Sequence, residues 1–156
     1  MRLTTLTLAA VCAAGAAIAN PVSPADVVFT EDGAVEMSLT GAAGDATKGF
    51  DVFSNKKKGN CVACHNIEAR TELSFPGNVG PMLDGVGSNR SEAEIRGILV
   101  NSKKTFEGTV MPAYYKVDGF TRPGDAYTGK APQGALDPLL SAEQIEDVIA
   151  FLASLK

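Results

Sequence analysis

Cys61-Val62-Ala63-Cys64-His65 is the stretch on which the reading of this chain turns. The spacing Cys-x-x-Cys-His is that of a covalent haem c attachment site. The chemistry explains the spacing. Each thiol adds across one haem vinyl group to give a thioether, and two intervening residues set the sulfurs as far apart as the two vinyls. His65 then lies under the iron and supplies the proximal nitrogen. Two other chemistries use paired cysteines. A thioredoxin-like redox pair needs a βαβ context that the sequence pattern lacks. A zinc site needs two further Cys or His ligands, and none remains once Cys12 is set aside as part of the N-terminal apolar stretch.

The single histidine limits everything else. With His65 committed to iron, neither a Ser-His triad nor a His-rich metal site can be built, so no catalytic side chain is assigned to this chain. A length of 156 residues and 45% apolar content fit one globular domain. A net charge of −4 argues against a nucleic-acid partner, which calls for a basic face.

The first nineteen residues read as an address. Met1-Arg2 is a short positive start, Leu3 to Ile18 is apolar or small, and Ala17-Ile18-Ala19 is a cleavage signature. The expected mature chain starts at Asn20, in the periplasm. It loses Arg2 and Cys12, carries a net charge of −5 and keeps Cys61 and Cys64 as its cysteines. The stretch is too short for a membrane span, and no other apolar run of about 20 residues exists.

The remainder divides into an N-terminal arm, 20–44, and a helical domain, 45–156. In the arm, Val27-Val28-Phe29 and the alternating Val35, Met37 and Leu39 flank Glu31-Asp32-Gly33. That pattern permits a small hairpin, and equally an irregular arm that docks on a partner. A first helix is expected from the N-cap Asp45 to about Asn55. A middle helix opens with the capping box Ser91 to Glu94 and turns Ile95, Ile98 and Leu99 inward. A last helix opens with the box Ser141 to Gln144, with Leu140 and Ile145 as a hydrophobic staple. Ile145, Val148, Ile149, Leu152 and Leu155 line one stripe of it at helical spacing. Residues 113–140 are unusual. Gly119, Gly124, Gly129 and Gly134 alternate there with Pro123, Pro132 and Pro138, among the aromatics Tyr114, Tyr115, Phe120 and Tyr127. So long a loop in a compact domain is often functional. It reads either as a protein interface or as a haem cover whose tyrosines bond the propionates. Lys56-Lys57-Lys58 and Lys103-Lys104 are either a solvated face or a basic rim that steers an acidic partner.

The sixth iron ligand cannot be histidine. Outside the address segment the methionines are Met37, Met82 and Met111. Met111 stands in Gly108-Thr-Val-Met111-Pro112-Ala113-Tyr114, 46 residues beyond His65, and this segment resembles the distal-ligand loop of a class I cytochrome c. The resemblance implies an all-α fold in which the first and last helices cross at a glycine, a contact that Gly49, Phe53 and Phe151 suit. It implies Met111 as the axial partner of His65, and a Gly80-Pro81 segment whose proline carbonyl receives the His65 ring N–H. Met82 would then lie on the proximal side as core filler, and Met37 would serve packing. With two strong ligands the iron has no open position, so outer-sphere electron transfer is the default role.

Four stretches together resemble the SoxX family. They are Cys61-Val-Ala-Cys-His65, Pro76-Gly-Asn-Val-Gly-Pro81-Met-Leu-Asp-Gly-Val-Gly, Met111-Pro-Ala-Tyr-Tyr-Lys-Val-Asp-Gly-Phe-Thr-Arg122 and Gln144-Ile-Glu-Asp-Val-Ile-Ala-Phe-Leu. Tyr-Tyr-Lys-Val-Asp-Gly followed by Tyr127-Thr-Gly-Lys130 is the discriminating part, while the Gly/Pro-rich segment 129–138 looks lengthened. SoxX proteins are the monohaem subunits of SoxAX, which oxidatively joins thiosulfate to a carrier cysteine on SoxYZ. The resemblance implies a heterodimer with a SoxA-like haem c subunit, and transient contacts with a SoxYZ-like carrier and a small cytochrome c acceptor. It further implies that this chain is the electron-accepting subunit of an L-cysteine S-thiosulfotransferase, with the sulfur chemistry on the partner. A free-standing class I electron carrier is the alternative. A haem enzyme or sensor with a labile Met111 bond is a third reading.

Overall fold

The computed structural model describes residues 20–121, 123 and 130–156. The expected signal peptide, 1–19, lies outside the described residues, as do Arg122 and the Gly124 to Gly129 part of the long loop with Tyr127.

The architecture is all-α. Among the described residues four α-helices, α1 Ala46–Ser54, α2 Val86–Asn89, α3 Glu92–Asn101 and α4 Ala142–Ala153, are joined by irregular segments. Each long helix starts where a side chain can satisfy its free N–H groups. Asp45 accepts from the amides of Thr47 and Lys48 at the start of α1. Ser91 with Glu94, and Ser141 with Gln144, form complete capping boxes on α3 and α4. The short α2 was not anticipated from the sequence. It follows Gly85, whose φ of 71° a side chain would resist. Gly87 lets α2 approach the end of α4 so closely that a Cβ there would collide with the Ala153 carbonyl.

The core is the crossing of α1 and α4. Gly49 is the contact point, since a Cβ at this position would strike the carbonyl of Asp147 and the Phe151 side chain. The close approach brings the Phe53 and Phe151 rings to 5.4 Å between centroids, and those of Phe50 and Phe151 to 5.3 Å. Ile145, Val148, Ile149 and Leu152 are buried along the α4 stripe, while Leu155 is partly buried at its end. Each such side chain contributes about 1.5–3 kcal/mol by leaving water. On α3, Ile95 and Leu99 are buried and Ile98 is intermediate.

The arm forms no strand among the described residues. Glu31-Asp32-Gly33 makes a tight turn, with Gly33 N–H donating to Thr30 O and Thr30 N–H to Ala34 O. The pairing stops there, because the second half of the arm is drawn onto the helices. Val35 N–H donates to the Ala93 carbonyl at 3.0 Å. Leu39 N–H donates to Glu146 Oε1 at 2.7 Å. The anchor is the buried ion pair between Arg96 on α3 and Glu146 on α4. Arg96 Nε lies 2.8 Å from Oε1 and its NH2 nitrogen 3.0 Å from Oε2, while NH1 donates to the Val35 carbonyl. Four donors and three acceptors from three segments thus satisfy one another away from water. Met37, expected to pack, is instead 61% exposed, since Leu39 and Val35 take the inward positions on either side of it.

Removing one partner of such a buried pair strands the other charge. Glu146→Ala is expected to lower unfolding free energy by roughly 3–5 kcal/mol in denaturant titration. It should also free the arm for proteolysis between residues 35 and 44.

Candidate functional site

The attachment turn is a single 3-10 turn, Cys61–Ala63, entered through Asn60 in the left-handed region at φ 49°. Asn is among the few residues that tolerate this conformation. Cys64 N–H and His65 N–H both donate to the Cys61 carbonyl, at 3.1 and 2.9 Å, which coils the five residues so tightly that both sulfurs and the imidazole leave one short segment. Segment 76–83 then runs back over the turn. Gly77 N–H donates to Val62 O and Gly80 N–H to Cys64 O, both at 2.8 Å, and Leu83 N–H to Asn66 O at 3.0 Å. Gly77 and Gly80 are required by contact. A Cβ on the first would meet the Ala63 carbonyl, and on the second the His65 ring itself. The Asp84 carboxylate adds a brace by accepting from the amides of Glu68 at 2.8 Å and Ala69 at 3.1 Å, and those two bonds hold its pKa below the usual carboxylate value.

This packing orients the imidazole. His65 Nδ1 donates to the Pro81 carbonyl at 2.8 Å, leaving Nε2 as the nitrogen free to bind a metal. The ring lines a cavity of about 440 Å³ together with Cys61, Cys64, Met82 and Met111. Phe53 of α1, Ile95 and Leu99 of α3 and Val148 and Leu152 of α4 supply an apolar wall. The residues present fit a haem c. Two thiols, an imidazole held through Nδ1 and the thioethers of Met82 and Met111 line one apolar cavity, and the chain offers no other histidine that could compete.

Burial pushes the Cys61 thiol up to about 12, which argues against its serving in a thiol–disulfide redox pair. Tyr114 is buried beside it, and its hydroxyl donates to the Gly59 carbonyl at 3.0 Å. Burial, with the Cys61 sulfur next to it, raises the phenol above its ordinary value. Tyr115 donates to the Val22 carbonyl at 2.7 Å, tying the arm down at its start. Neither tyrosine is therefore exposed to a partner, and both hydroxyls are taken by backbone carbonyls, while Tyr114 also lines the cavity. Both are core residues whose polar ends satisfy backbone carbonyls, and sequence reading missed this because Tyr-Tyr at the head of a Gly/Pro-rich loop looks like surface. The rest of the described loop keeps Phe120 exposed, with Lys116 Nζ 5.3 Å from its ring centroid.

Met111 is partly buried against the core. Met82 lines the cavity but is 54% exposed, at a rim and not in the core. Of the lysines, Lys58 pairs with Asp51 at 2.6 Å, Lys103 donates to the Met111 carbonyl and Lys104 sits 5.8 Å from the Phe29 ring centroid. Among the described residues, Lys58 alone of the five lysines in the two runs meets a carboxylate, and Lys103 and Lys104 keep their charge.

The cytochrome c family model matches residues 46–156. Among solved structures, a chain of the crystal structure of SoxXA from P. pantotrophus shares 54% sequence identity. The match covers 87% of this chain and 98% of that one, with a TM-score of 0.83. No curated protein matches.

Tyr114→Phe leaves the buried Gly59 carbonyl without its donor. It is expected to cost about 1–3 kcal/mol of stability, measured by equilibrium unfolding, with helix content unchanged. A cost under a few tenths would mean that the hydroxyl has no structural role.

Proposed function

The chain belongs to the cytochrome c family and to the family of the SoxXA chain it matches, and on that premise we propose how it works within a SoxAX-type complex. It is the haem c electron-transfer subunit of a heterodimer with a SoxA-like haem subunit. The observation that carries this reading is the 54% identity over 98% of a chain from such a complex, together with a single cavity that collects Cys61, Cys64, His65 and Met111. The complex oxidises thiosulfate by joining it to a carrier cysteine on a SoxYZ-like protein. The match to a subunit of a complex favours this over a free-standing carrier. Export to the periplasm through cleavage near Ala19 and Asn20 suits both the haem c chemistry and the partner.

The bound haem supplies one-electron chemistry at its iron. The chain's residues do the rest. Cys61 and Cys64 hold the group covalently. His65 binds through Nε2 while Pro81 fixes its ring. Met111 would give the iron a soft neutral sulfur, which favours the reduced state. The helical walls give the group an apolar bed. Once both thiols are thioethers the mature chain has no free cysteine, so the sulfur intermediate and the thiosulfotransferase step belong to the partner. Electrons leave to a small cytochrome c.

Met111→Leu tests the ligation. The weak methionine-to-ferric-iron absorption band should vanish and the reduction potential should fall, while Met82→Leu should change neither. Survival of the band in Met111→Leu would show that another residue binds the iron. The subunit role is tested by mixing. Ferrous absorption of this chain should rise when thiosulfate, the partner subunit and the carrier are all present, and not when the partner is withheld. Reduction of the isolated chain by thiosulfate alone contradicts the role.

A further inference from the structure

The loop that carries Met111 has little packing of its own. Phe106 and Val110 are 41% and 79% exposed, and Gly108, at φ 74°, has open space around it. Methionine has three rotatable bonds and adapts its position readily. A thioether on such a loop needs its backbone fixed from elsewhere if it is to stay at one place in the cavity.

The fixing comes from the end of α3. Ser102, which opens the 3-10 turn Ser102–Lys104, is fully buried at 0% exposure. Its hydroxyl donates to the Met111 carbonyl at 2.9 Å. The neighbouring Lys103 ammonium donates to the same oxygen. From the other side, the Met111 N–H donates to Thr109 Oγ1 at 3.2 Å. Two further bonds continue the register, Tyr114 N–H to the Leu99 carbonyl at 3.0 Å and Tyr115 N–H to the Val100 carbonyl at 3.2 Å. The donors sit on a rigid body, since α3 is capped at its start and tied to α4 by the Arg96–Glu146 pair.

We propose that Ser102 and Lys103 form a clamp on the Met111 carbonyl that positions the thioether and so controls how readily an outside ligand displaces it. The inference rests on Met111 being the axial ligand. The two clamp residues differ in kind. Ser102 gives a short, directional bond from inside the protein. Lys103 reaches over the same oxygen from solvent with a full charge, and a charged donor makes the stronger kind of hydrogen bond. Groups that orient a metal ligand typically affect metal binding by about 10–100-fold when removed.

The test uses the haem-loaded full-length mature chain in the ferric state, titrated with imidazole, which competes with Met111 for the iron. Ser102→Ala is expected to bind imidazole about tenfold more tightly than the unmutated protein, and Ser102→Thr, which keeps the hydroxyl, to bind it as the unmutated protein does. Lys103→Met should shift affinity in the same direction, and the double variant should exceed either single one. The exposed Lys103 change carries the test if the buried Ser102 change impairs folding. A purely structural role for Ser102 would lower the unfolding midpoint without moving imidazole affinity or the methionine-to-iron band, and that result overturns the clamp. Absence of that band in the unmutated protein would overturn the ligation and the clamp with it. A band present throughout, with unchanged affinity in every variant, overturns the clamp alone.

Discussion

One hydrogen bond, from His65 Nδ1 to the Pro81 carbonyl, sets the orientation of the chain's only imidazole. Much of the surrounding architecture exists to hold that bond in place. Segment 76–83 can cross the attachment turn only because Gly77 and Gly80 have no side chains. It stays there through backbone bonds to Val62, Cys64 and Asn66, and the Asp84 brace closes the far end. The α1–α4 crossing at Gly49 then sets the apolar wall that the turn faces. Covalent anchoring and ring orientation are thus separate devices. The thiols prevent loss of the group, and the proline carbonyl decides which ring nitrogen is free and where it points.

The parts of this scheme that were legible in the sequence are those with a strong local code. Cys61-x-x-Cys64-His65 names its own chemistry. Asp45, Ser91 and Ser141 mark helix starts because a side-chain oxygen must meet free N–H groups there, and all three helices begin where those residues stand. The apolar stripe of α4 follows from period alone. The Pro81 contact was anticipated through likeness to class I cytochromes c and is present at 2.8 Å.

What escaped the sequence depends on partners far apart in the chain. Arg96 and Glu146 are 50 residues apart, and each lies within an inward-facing stripe. A charge at an inward helical position was the available signal, but it does not name its partner. The arm was ambiguous for the same reason, since its course is decided by α3 and α4 and not by its own alternation. Tyr114 and Tyr115 are buried although their turn-rich neighbours suggest exposure, because their hydroxyls find carbonyls at Gly59 and Val22. Ser102 drew no notice in the sequence, being one serine at a helix end. Only the fold shows that it is buried and aimed at Met111.

We propose that this chain works as one subunit of a heterodimer with a SoxA-like partner. The measurement that tests it most directly is the native mass of the untagged protein isolated from its own cells, with covalent haem counted on each polypeptide. The expected result is a stable one-to-one complex in which this chain bears one haem and a different, haem c-bearing polypeptide accompanies it. A lone chain of mature mass with one haem, unchanged across concentration, would contradict it.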